Sequence, residues 1–315
     1  MKKNKSKSHV VSSSSPAGRG NPFRFYFNVF SLLFISLFFV FTPILGTPPG
    51  PIKPAVMAAY TREPKTPVLQ STVRPDLTAT GVFVMDLDTG IVLYDKNPHL
   101  KLKPASLTKI MTSIIALDYF SEGSVVTVIN GQKSLGNTAK LVKGDELTAS
   151  EMIYALLVPS GNDAAVTLAE NYPGGYQEFV KKMNQKVTDL DLKNTHFANV
   201  SGVESPNHYT TAFDIAMVAR NALKRPSFSS IVSTKNITIT SLKGRQYPLS
   251  STNILLGKPG IMGVKTGWTP EAGECLVILA TQNNHPVLIS LLNSKDRFGE
   301  AEQLVSWVYS SYIWQ

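Results

Sequence analysis

The spacing of apolar residues over residues 76–315 predicts a domain that contains both strands and helices. Residues 80–95, TGVFVMDLDTGIVLYD, hold two runs of β-branched and aromatic residues around a polar turn, the pattern of a hairpin. From about residue 100 to residue 230 the apolar residues recur every three or four positions, as in helices that face a core. Strand patterns return after residue 235, in the segments NITITSL, GIMGVKTGW, ECLVILATQ and HPVLISLLN. Asp296 to Ile313 has the spacing of an amphipathic helix.

The order of these elements predicts the fold class. Strands at both ends of the region enclose the helical segments, and Asn283–Asn284 is the expected turn between the last two strands. Thr148 with Glu151 has the pattern of a capping box, and Thr211 with Asp214 is an acidic variant of it, so each pair marks a helix start. We therefore expect an α/β fold of the α+β kind: an antiparallel sheet flanked by helices, with a helical region inserted between its strands.

An uncharged apolar segment near the N-terminus predicts a membrane anchor over residues 25–46. Phe25–Leu45 is long enough, as a helix, to span roughly 30 Å of bilayer. The preceding residues 1–24 form a basic tail without acids, which places that end in the cytoplasm and the rest of the chain outside. A cleaved signal peptide is the alternative, but its best cleavage site, Val56–Met57–Ala58, lies well past the apolar run. Either interpretation predicts that the remainder is exported.

Residues 47–75 are predicted to be a spacer. Eight of the chain's twenty prolines lie between Pro43 and Pro75, and such a segment is expected to stay extended rather than to pack as helix or sheet. The folded domain is then expected to occupy residues 76–315.

Composition excludes several classes of function. The net charge is +9, but the basic tail holds +6 of it, which leaves +3 on the other 291 residues and argues against a nucleic-acid-binding protein. Cys275 is the only cysteine, lies in an apolar run and is expected to be a small buried hydrophobe, so no intrachain disulfide can form. The five histidines lack metal-ligand spacing, and we expect no metal site.

The segment KPASLTKIMT, residues 103–112, carries the first candidate chemistry. The apolar positions that follow Pro104 predict a helix, and Ser106 and Lys109 lie three apart on one side of its first turn. A lysine at the edge of an apolar stripe usually extends its amine into water, so this pair alone is a weak signal.

Two further motifs change that interpretation. Ser160-x-Asn162, in ALLVPSGNDAAVTLAE, falls in a short break between two apolar helices, where a loop can enter a cleft. The same Ser-x-Asn spacing occurs twice more, at Ser205 and Ser251, without such a context. Lys265–Thr266–Gly267 occurs once, near the end of a predicted strand. Three motifs in this order, each in a suitable context, are not expected by coincidence.

With these motifs the chain resembles the serine D-alanyl-D-alanine carboxypeptidases, or low-molecular-mass penicillin-binding proteins, in PASLTKIMT, PSGNDA and GVKTGWTPEAGECLV. The resemblance covers about residues 78–307. It implies the β-lactamase/DD-peptidase-like transpeptidase fold and removal of the terminal D-alanine from peptidoglycan stem peptides ending in D-Ala-D-Ala, without a cofactor. It also implies that β-lactam antibiotics acylate the enzyme as covalent inhibitors.

The resemblance assigns roles to nine residues. Ser106 is implied as the nucleophile, Lys109 as its base and Ser160 as the relay of a proton to the leaving group. The other six are implied to bind the substrate: Asn162 its amide, Lys265, Thr266 and Arg297 its carboxylate, Gly267 by letting its backbone come close, and Trp268, with Ser106, through the backbone N–H groups of the oxyanion hole.

Lys109 can serve as a base only in its neutral form. The pKa of a free lysine is near 10.4, so a second cation, Lys265, and partial desolvation would have to lower the pKa of Lys109. We therefore expect this amine to be neutral in the working enzyme.

Anchoring follows from where the motifs end. Many relatives continue into a β-rich second domain and a C-terminal amphipathic anchor, whereas this sequence ends at Gln315, so we expect the N-terminal segment to hold the protein. The expected location is the bacterial cell membrane, with one span and the catalytic domain on the cell-wall side.

Three alternatives remain. A DD-endopeptidase would use the same residues on cross-links. A class A β-lactamase needs a Glu-x-x-Leu-Asn loop after the second motif, and no glutamate after Ser160 has that context. A non-catalytic peptide-binding module of the envelope would have no need of both lysines.

Overall fold

The centre of the computed structural model, which describes residues 64–71, 73–130 and 136–315, is a five-stranded antiparallel sheet. Its strands run, from one edge to the other, in the order β3 (Val92–Lys96), β2 (Gly81–Asp86), β10 (His285–Ser294), β9 (Gly273–Gln282) and β8 (Ile261–Thr269). Two of them come from the start of the domain and three from its end. The predicted α+β fold, with its sheet assembled from both ends, is therefore confirmed.

Helices and short strands lie between β3 and β8. The helices are α1 (Thr108–Tyr119), α2 (Ala149–Leu157), α3 (Asn162–Glu170), α4 (Gly175–Asp189), α5 (Ala212–Leu223) and α6 (Pro226–Val232), and α7 (Arg297–Ser311) follows the sheet. Three two-stranded sheets complete the described fold: β1 (Pro67–Leu69) with β11 (Tyr312–Trp314), β4 (Val125–Thr127) with β5 (Glu146–Thr148), and β6 (Asn236–Thr240) with β7 (Gln246–Ser250).

The central sheet separates two hydrophobic cores. On β2, Phe83 and Met85 pack into the core shared with the helical region, whereas Val82 and Val84 pack into the core under α7. Successive side chains of a strand point to opposite faces, so a strand that is buried on both faces has mostly apolar residues at consecutive positions. The continuous apolar run of the sequence has this physical cause, and the fold is a three-layer arrangement of helices, sheet and helix.

Both predicted helix starts are present. The Thr148 side chain accepts a hydrogen bond from the Glu151 backbone N–H at 3.2 Å, and the Glu151 carboxylate accepts one from the Thr148 backbone N–H at 2.9 Å. The Thr211 side chain accepts from the Asp214 backbone N–H at 2.9 Å. Each bond satisfies an N–H group that the helix itself leaves without a partner.

The ends of the described chain differ from the prediction. The last helix ends at Ser311 rather than Ile313, because Tyr312–Trp314 leaves it to form β11. Its partner β1, Pro67–Leu69, lies inside the segment 47–75 that was expected not to pack as sheet, so that expectation is wrong for these three residues. A three-residue strand is too short to leave a pattern, and its partner lies at the other end of the sequence.

Neither a membrane span nor a metal cluster is found where the structure can be described. None of the helices in residues 64–71, 73–130 and 136–315 combines the length and the apolarity that crossing a bilayer requires. The anchor predicted over residues 25–46 lies outside these ranges. In the same ranges no group of three or more His, Cys, Asp or Glu side chains is placed to hold a metal ion. Cys275 is buried, as its apolar surroundings predict.

Candidate active site

Ser106 lies in a short 3₁₀ turn, Ala105–Leu107, that leads directly into α1. The backbone of Ala105 has φ +47°, in the left-handed region that residues with a side chain seldom adopt. Such a conformation costs on the order of 1–3 kcal/mol and persists only where the surrounding structure holds it. The partly buried Ser106 is thereby placed on the wall of a cleft.

Lys109 lies beneath Ser106 and is fully buried. Its Nζ is 3.0 Å from the Ser106 Oγ, 2.6 Å from the Asn162 Oδ1 and 2.7 Å from the carbonyl oxygen of Ser201. The first sequence motif and the second therefore meet at this one amine.

These three contacts suit a neutral amine. The Asn162 and Ser201 oxygens are acceptors, so each takes an N–H of the Lys109 amine, and a neutral amine then has only its lone pair left to face the Ser106 hydroxyl. Burial, and after it the charge of Lys265, hold the pKa of Lys109 well below that of a free lysine. Both of the expected causes act, and burial is the larger.

Lys265 and Thr266 follow each other on β8, next to the Ser106 turn. Lys265 is only 1% exposed, and its Nζ donates to the Thr266 carbonyl oxygen at 2.9 Å. Burial and the nearby Arg297 guanidinium lower the pKa of Lys265 to about 7. The Thr266 Oγ1 is 2.6 Å from the Thr252 Oγ1, so the two hydroxyls share a hydrogen bond that either can donate.

Ser160 joins α2 to α3 in a left-handed backbone conformation, with φ +64°. Its Oγ is buried and has no hydrogen-bond partner in the described part of the chain. No hydrogen bond within the described fold accounts for this hydroxyl. Helix α3 begins two residues later at Asn162, which puts both side chains on the same wall.

A cleft of about 710 Å³ collects most of the predicted residues. Seven of the nine line it: Ser106, Ser160, Asn162, Thr266, Gly267, Trp268 and Arg297. Lys109 and Lys265 do not line the cleft but lie buried behind its wall. Neither lysine amine is therefore open to the cleft, whereas the exposed Trp268 forms part of its rim.

Gly267 packs closely against the Ser106 turn. A Cβ at this position would lie 3.1 Å from the Ala105 Cβ, the Pro104 carbonyl oxygen and the Ser106 backbone nitrogen. The resemblance to the carboxypeptidases implies that this glycine lets a substrate backbone come close. The structure adds a different cause, since β8 packs directly against the turn that carries Ser106.

Arg297 is the first residue of α7, and its side chain lines the cleft. Its Nη1 donates to the Gly267 carbonyl oxygen at 2.8 Å, and its backbone N–H donates to the Glu274 carboxylate at 2.9 Å. Arg297 therefore belongs to the wall of the cleft rather than to the outer surface of α7.

Several residues of the cleft wall are not among the nine that the sequence predicts. Ser201 contributes only a carbonyl oxygen, which no side-chain pattern reveals. Thr252 lies inside the third Ser-x-Asn repeat, which seemed to lack any context, yet it lines the cleft. Glu204 and Glu274, also on the wall, were considered only as candidate bases of a β-lactamase. Each belongs to a segment whose place depends on long-range packing.

Comparison with known proteins identifies the family. The family model described as D-alanyl-D-alanine carboxypeptidase, peptidase S11, matches residues 68–296. The D-alanyl-D-alanine carboxypeptidase DacF of Bacillus subtilis is 35% identical over 244 residues, which are 74% of this chain and 63% of that protein. This chain thus spans less than two thirds of that relative. The D-alanyl-D-alanine endopeptidase of Pseudomonas aeruginosa is 32% identical, with 76% of this chain and 80% of that protein covered.

Solved structures agree with this match. The crystal structure of the Streptomyces K15 DD-transpeptidase superposes with a TM-score of 0.71 at 31% identity. The superposition covers 76% of this chain and 99% of that one. The family match spans both ends of the central sheet and all three sequence motifs. The chain belongs to the S11 family of D-alanyl-D-alanine carboxypeptidases.

Proposed function

We propose that the protein is a serine-type D-Ala-D-Ala carboxypeptidase that removes the terminal D-alanine of peptidoglycan stem peptides through an acyl-enzyme on Ser106. The observation that carries the proposal is the buried Lys109 amine, held by the Asn162 and Ser201 oxygens at 3.0 Å from the Ser106 Oγ. A serine hydroxyl needs such a base to become a nucleophile.

Acylation follows from this geometry. The neutral Lys109 amine takes the Ser106 proton while the Ser106 Oγ attacks the carbonyl carbon of the penultimate D-alanine. The backbone N–H groups of Ser106 and Trp268 face the oxygen that becomes negative, and removal of one such donor typically costs about a hundredfold or more in rate. Breaking the C–N bond releases D-alanine, whose nitrogen receives a proton through Ser160. The Ser160 hydroxyl, which has no partner in the described part of the chain, is free to make that bond.

The carboxylate of the departing D-alanine is placed by groups on the other wall. The Thr266 hydroxyl and the Arg297 guanidinium line the cleft, whereas Lys265 lies behind Thr266. We assign direct contact to the first two and a supporting positive charge to Lys265. This arrangement uses Arg297 for substrate and for the Gly267 carbonyl oxygen at once.

The surroundings of the two glutamates in the cleft support slow hydrolysis of the acyl-enzyme that a β-lactam forms. The Glu204 carboxylate accepts a hydrogen bond from the Glu271 backbone N–H, which is the main cause that lowers the pKa of Glu204. The Glu274 carboxylate accepts from the backbone N–H of Arg297. The lowered pKa makes Glu204 a poor base for a water molecule, and a penicillin should acylate Ser106 and leave slowly.

The decisive assay is D-alanine release. The full chain, solubilised in detergent, should release D-alanine from a peptide that ends in D-Ala-D-Ala, and Ser106→Ala should abolish this. If neither protein releases D-alanine while both still bind the peptide, the protein is a non-catalytic binding module instead.

The role of Lys109 has its own test. The acid limb of the pH–rate profile should report a group well below pH 10, because an unperturbed lysine titrates near 10.4. Lys109→Arg, whose guanidinium stays protonated and cannot take the Ser106 proton, should lose the acylation step. If the acid limb persists unchanged in this variant, the ionisation that causes it belongs to a group other than Lys109.

Endopeptidase activity is the second candidate, favoured by the Pseudomonas aeruginosa relative named as an endopeptidase. The two activities differ only in the leaving group, which is free D-alanine in one case and the amine of a second stem peptide in the other. Parallel measurement of D-alanine release from stem peptides and of cleavage of cross-linked dimers separates them.

For the location, we propose a single span over residues 25–46, the basic tail of residues 1–24 in the cytoplasm and the catalytic domain on the cell-wall side of the bacterial envelope. The uncharged apolar run and the basic residues before it support this topology. Externally added protease should cleave the domain from intact protoplasts, and the domain should sediment with membranes unless residues 1–46 are deleted.

A further inference from the structure

His208 is a buried histidine that none of the sequence motifs contains and that does not line the cleft. It is 1% exposed and packs edge-on against the Phe197 ring, with 5.7 Å between the ring centres. Its Nδ1 lies 2.9 Å from the backbone nitrogen of Ala198, and its Nε2 lies 2.8 Å from the Thr108 Oγ1. Thr108 is the first residue of α1, two positions after Ser106.

The directions of these hydrogen bonds can be read from their chemistry. A backbone N–H only donates, so the Nδ1 of His208 accepts from Ala198, and the ring proton is on Nε2. The Nε2–H then donates to the Thr108 Oγ1, and the Thr108 hydroxyl donates to the Ala105 carbonyl oxygen at 2.9 Å. The result is a one-way chain of three bonds that ends on the residue before Ser106.

The chain requires a neutral imidazole. Burial, with the charges of Lys103 and His196, lowers the pKa of His208 to about 4, so the ring stays neutral at physiological pH. An imidazolium would oppose its Nδ1–H to the Ala198 N–H and lose the first bond.

The last acceptor of the chain is the strained residue of the nucleophile turn. Ala105 holds its left-handed backbone between two constraints, the Thr108 hydroxyl and the close backbone of Gly202, where a Cβ would lie only 1.8 Å from the Ala105 oxygen. Strain of this kind needs surroundings that leave no alternative. The Ala105 carbonyl and the Ser106 backbone N–H belong to the same planar peptide group, so the direction of the carbonyl fixes the direction of the N–H.

We propose that His208 is a positioning residue for Ser106, acting through Thr108 and the Ala105 carbonyl oxygen. This inference rests on the proposed role of Ser106 as nucleophile. His208 touches neither substrate nor reacting atoms; it holds the turn in the one conformation that places the Ser106 Oγ beside Lys109 and its N–H beside the substrate carbonyl.

The test breaks the chain at its middle. Thr108→Val keeps shape and volume but removes the hydroxyl, so it should slow acylation by penicillin about tenfold to a hundredfold per folded molecule, as small misplacements of reacting groups do. Thr108→Ser keeps the hydroxyl and should retain the wild-type rate. Ser113→Ala is the matched control, because the Ser113 Oγ also donates to a carbonyl three residues earlier in α1, that of Ile110, at 2.7 Å, but away from the site.

Histidine variants provide the second measurement. In His208→Gln the amide oxygen can accept from the Ala198 N–H and its NH₂ can donate to Thr108, so acylation should stay within a few-fold of wild type, whereas His208→Leu should match Thr108→Val. Because both changes break the same chain, the double variant His208→Leu/Thr108→Val should acylate no more slowly than Thr108→Val alone.

Melting temperatures separate positioning from mere stability. Ser113→Ala should lose stability without losing acylation rate, whereas Thr108→Val should lose both. Thr108→Val acylating at the wild-type rate would overturn the proposal, even if His208→Leu fails to fold. Failure of the proposed function looks different, since wild-type protein would then not be labelled at Ser106 at all.

Discussion

Replacement of Gly267 by alanine tests how closely strand β8 controls the nucleophile. The added methyl would meet three atoms of the Ser106 turn, two of them backbone atoms, at 3.1 Å. Contacts of this length are tighter than those that real Cβ atoms usually make, so the turn or the strand has to give by a few tenths of an ångström. The backbone nitrogen of Ser106, whose N–H we propose as a donor to the reacting oxygen, is among the atoms that have to move.

Two effects of known size follow. Overpacking of this kind typically costs about 1–3 kcal/mol, which for a domain of this length lowers the melting temperature by about 2–4 °C per kcal/mol. Displacement of the turn should also lower the rate of acylation by penicillin, by about tenfold to a hundredfold.

The assay compares labelling of Ser106 by a fluorescent penicillin, per folded molecule, with thermal unfolding in the absence of ligand. Gly123→Ala is a matched control, because a Cβ there has no atom within 4 Å. It shows the small gain in stability that alanine brings by restricting the unfolded chain. The reasoning fails if Gly267→Ala melts like Gly123→Ala, because the glycine would then serve the substrate alone.

Three further predictions concern other parts of the fold. Ser160→Ala should lower kcat by about a hundredfold or more and leave the melting temperature unchanged or higher, because the lost hydroxyl has no partner in the described part of the chain; a loss of stability would mean that this hydroxyl is bonded in the free enzyme. Between pH 8 and 10 the free energy of unfolding of wild type should rise with pH relative to that of Lys265→Met, by about 1.4 kcal/mol per pH unit, because the unfolded lysine holds a proton that the folded one, with a pKa of about 7, has released. Denaturant-unfolding curves of both proteins at each pH check this. Equal dependence of the unfolding free energy on pH in the two proteins would show that Lys265 keeps its proton. Thr148→Ala should cost about 1 kcal/mol through the lost cap of α2 while the acylation rate stays unchanged, which melting and labelling of the same sample measure.

Lys265 and Lys109 illustrate why the sequence predicted so much of the site. The three motifs are local, and each lies at an element boundary whose cause is also local: a proline before α1, a break between α2 and α3, and the end of β8. The need for a neutral amine follows from the chemistry of serine alone. The burial that produces it was inferred correctly, although the sequence could not show that burial outweighs the second charge.

The parts that escaped prediction depend on contacts between distant segments. The Ser201 carbonyl, Thr252 and His208 lie in loops whose positions are set by the segments they pack against. Gly267 was noticed, but its neighbour in space was not, because no local pattern tells that β8 lies on the Ser106 turn. The strand pair β1 and β11 joins residues too far apart in sequence for any periodicity to connect.

That strand pair also determines how the domain bears tension. The backbone N–H of Thr66 donates to the carbonyl oxygen of Gln315, and the strands run antiparallel from this point, with Pro67 opposite Trp314 and Leu69 opposite Tyr312. A pull applied at residue 66 against Gln315 therefore opens the ladder like a zipper, one rung after another, instead of shearing all rungs together. A cargo fused to Gln315 would leave the domain beside residue 66, and the mechanical weak point would lie at this seam, with the central sheet still intact.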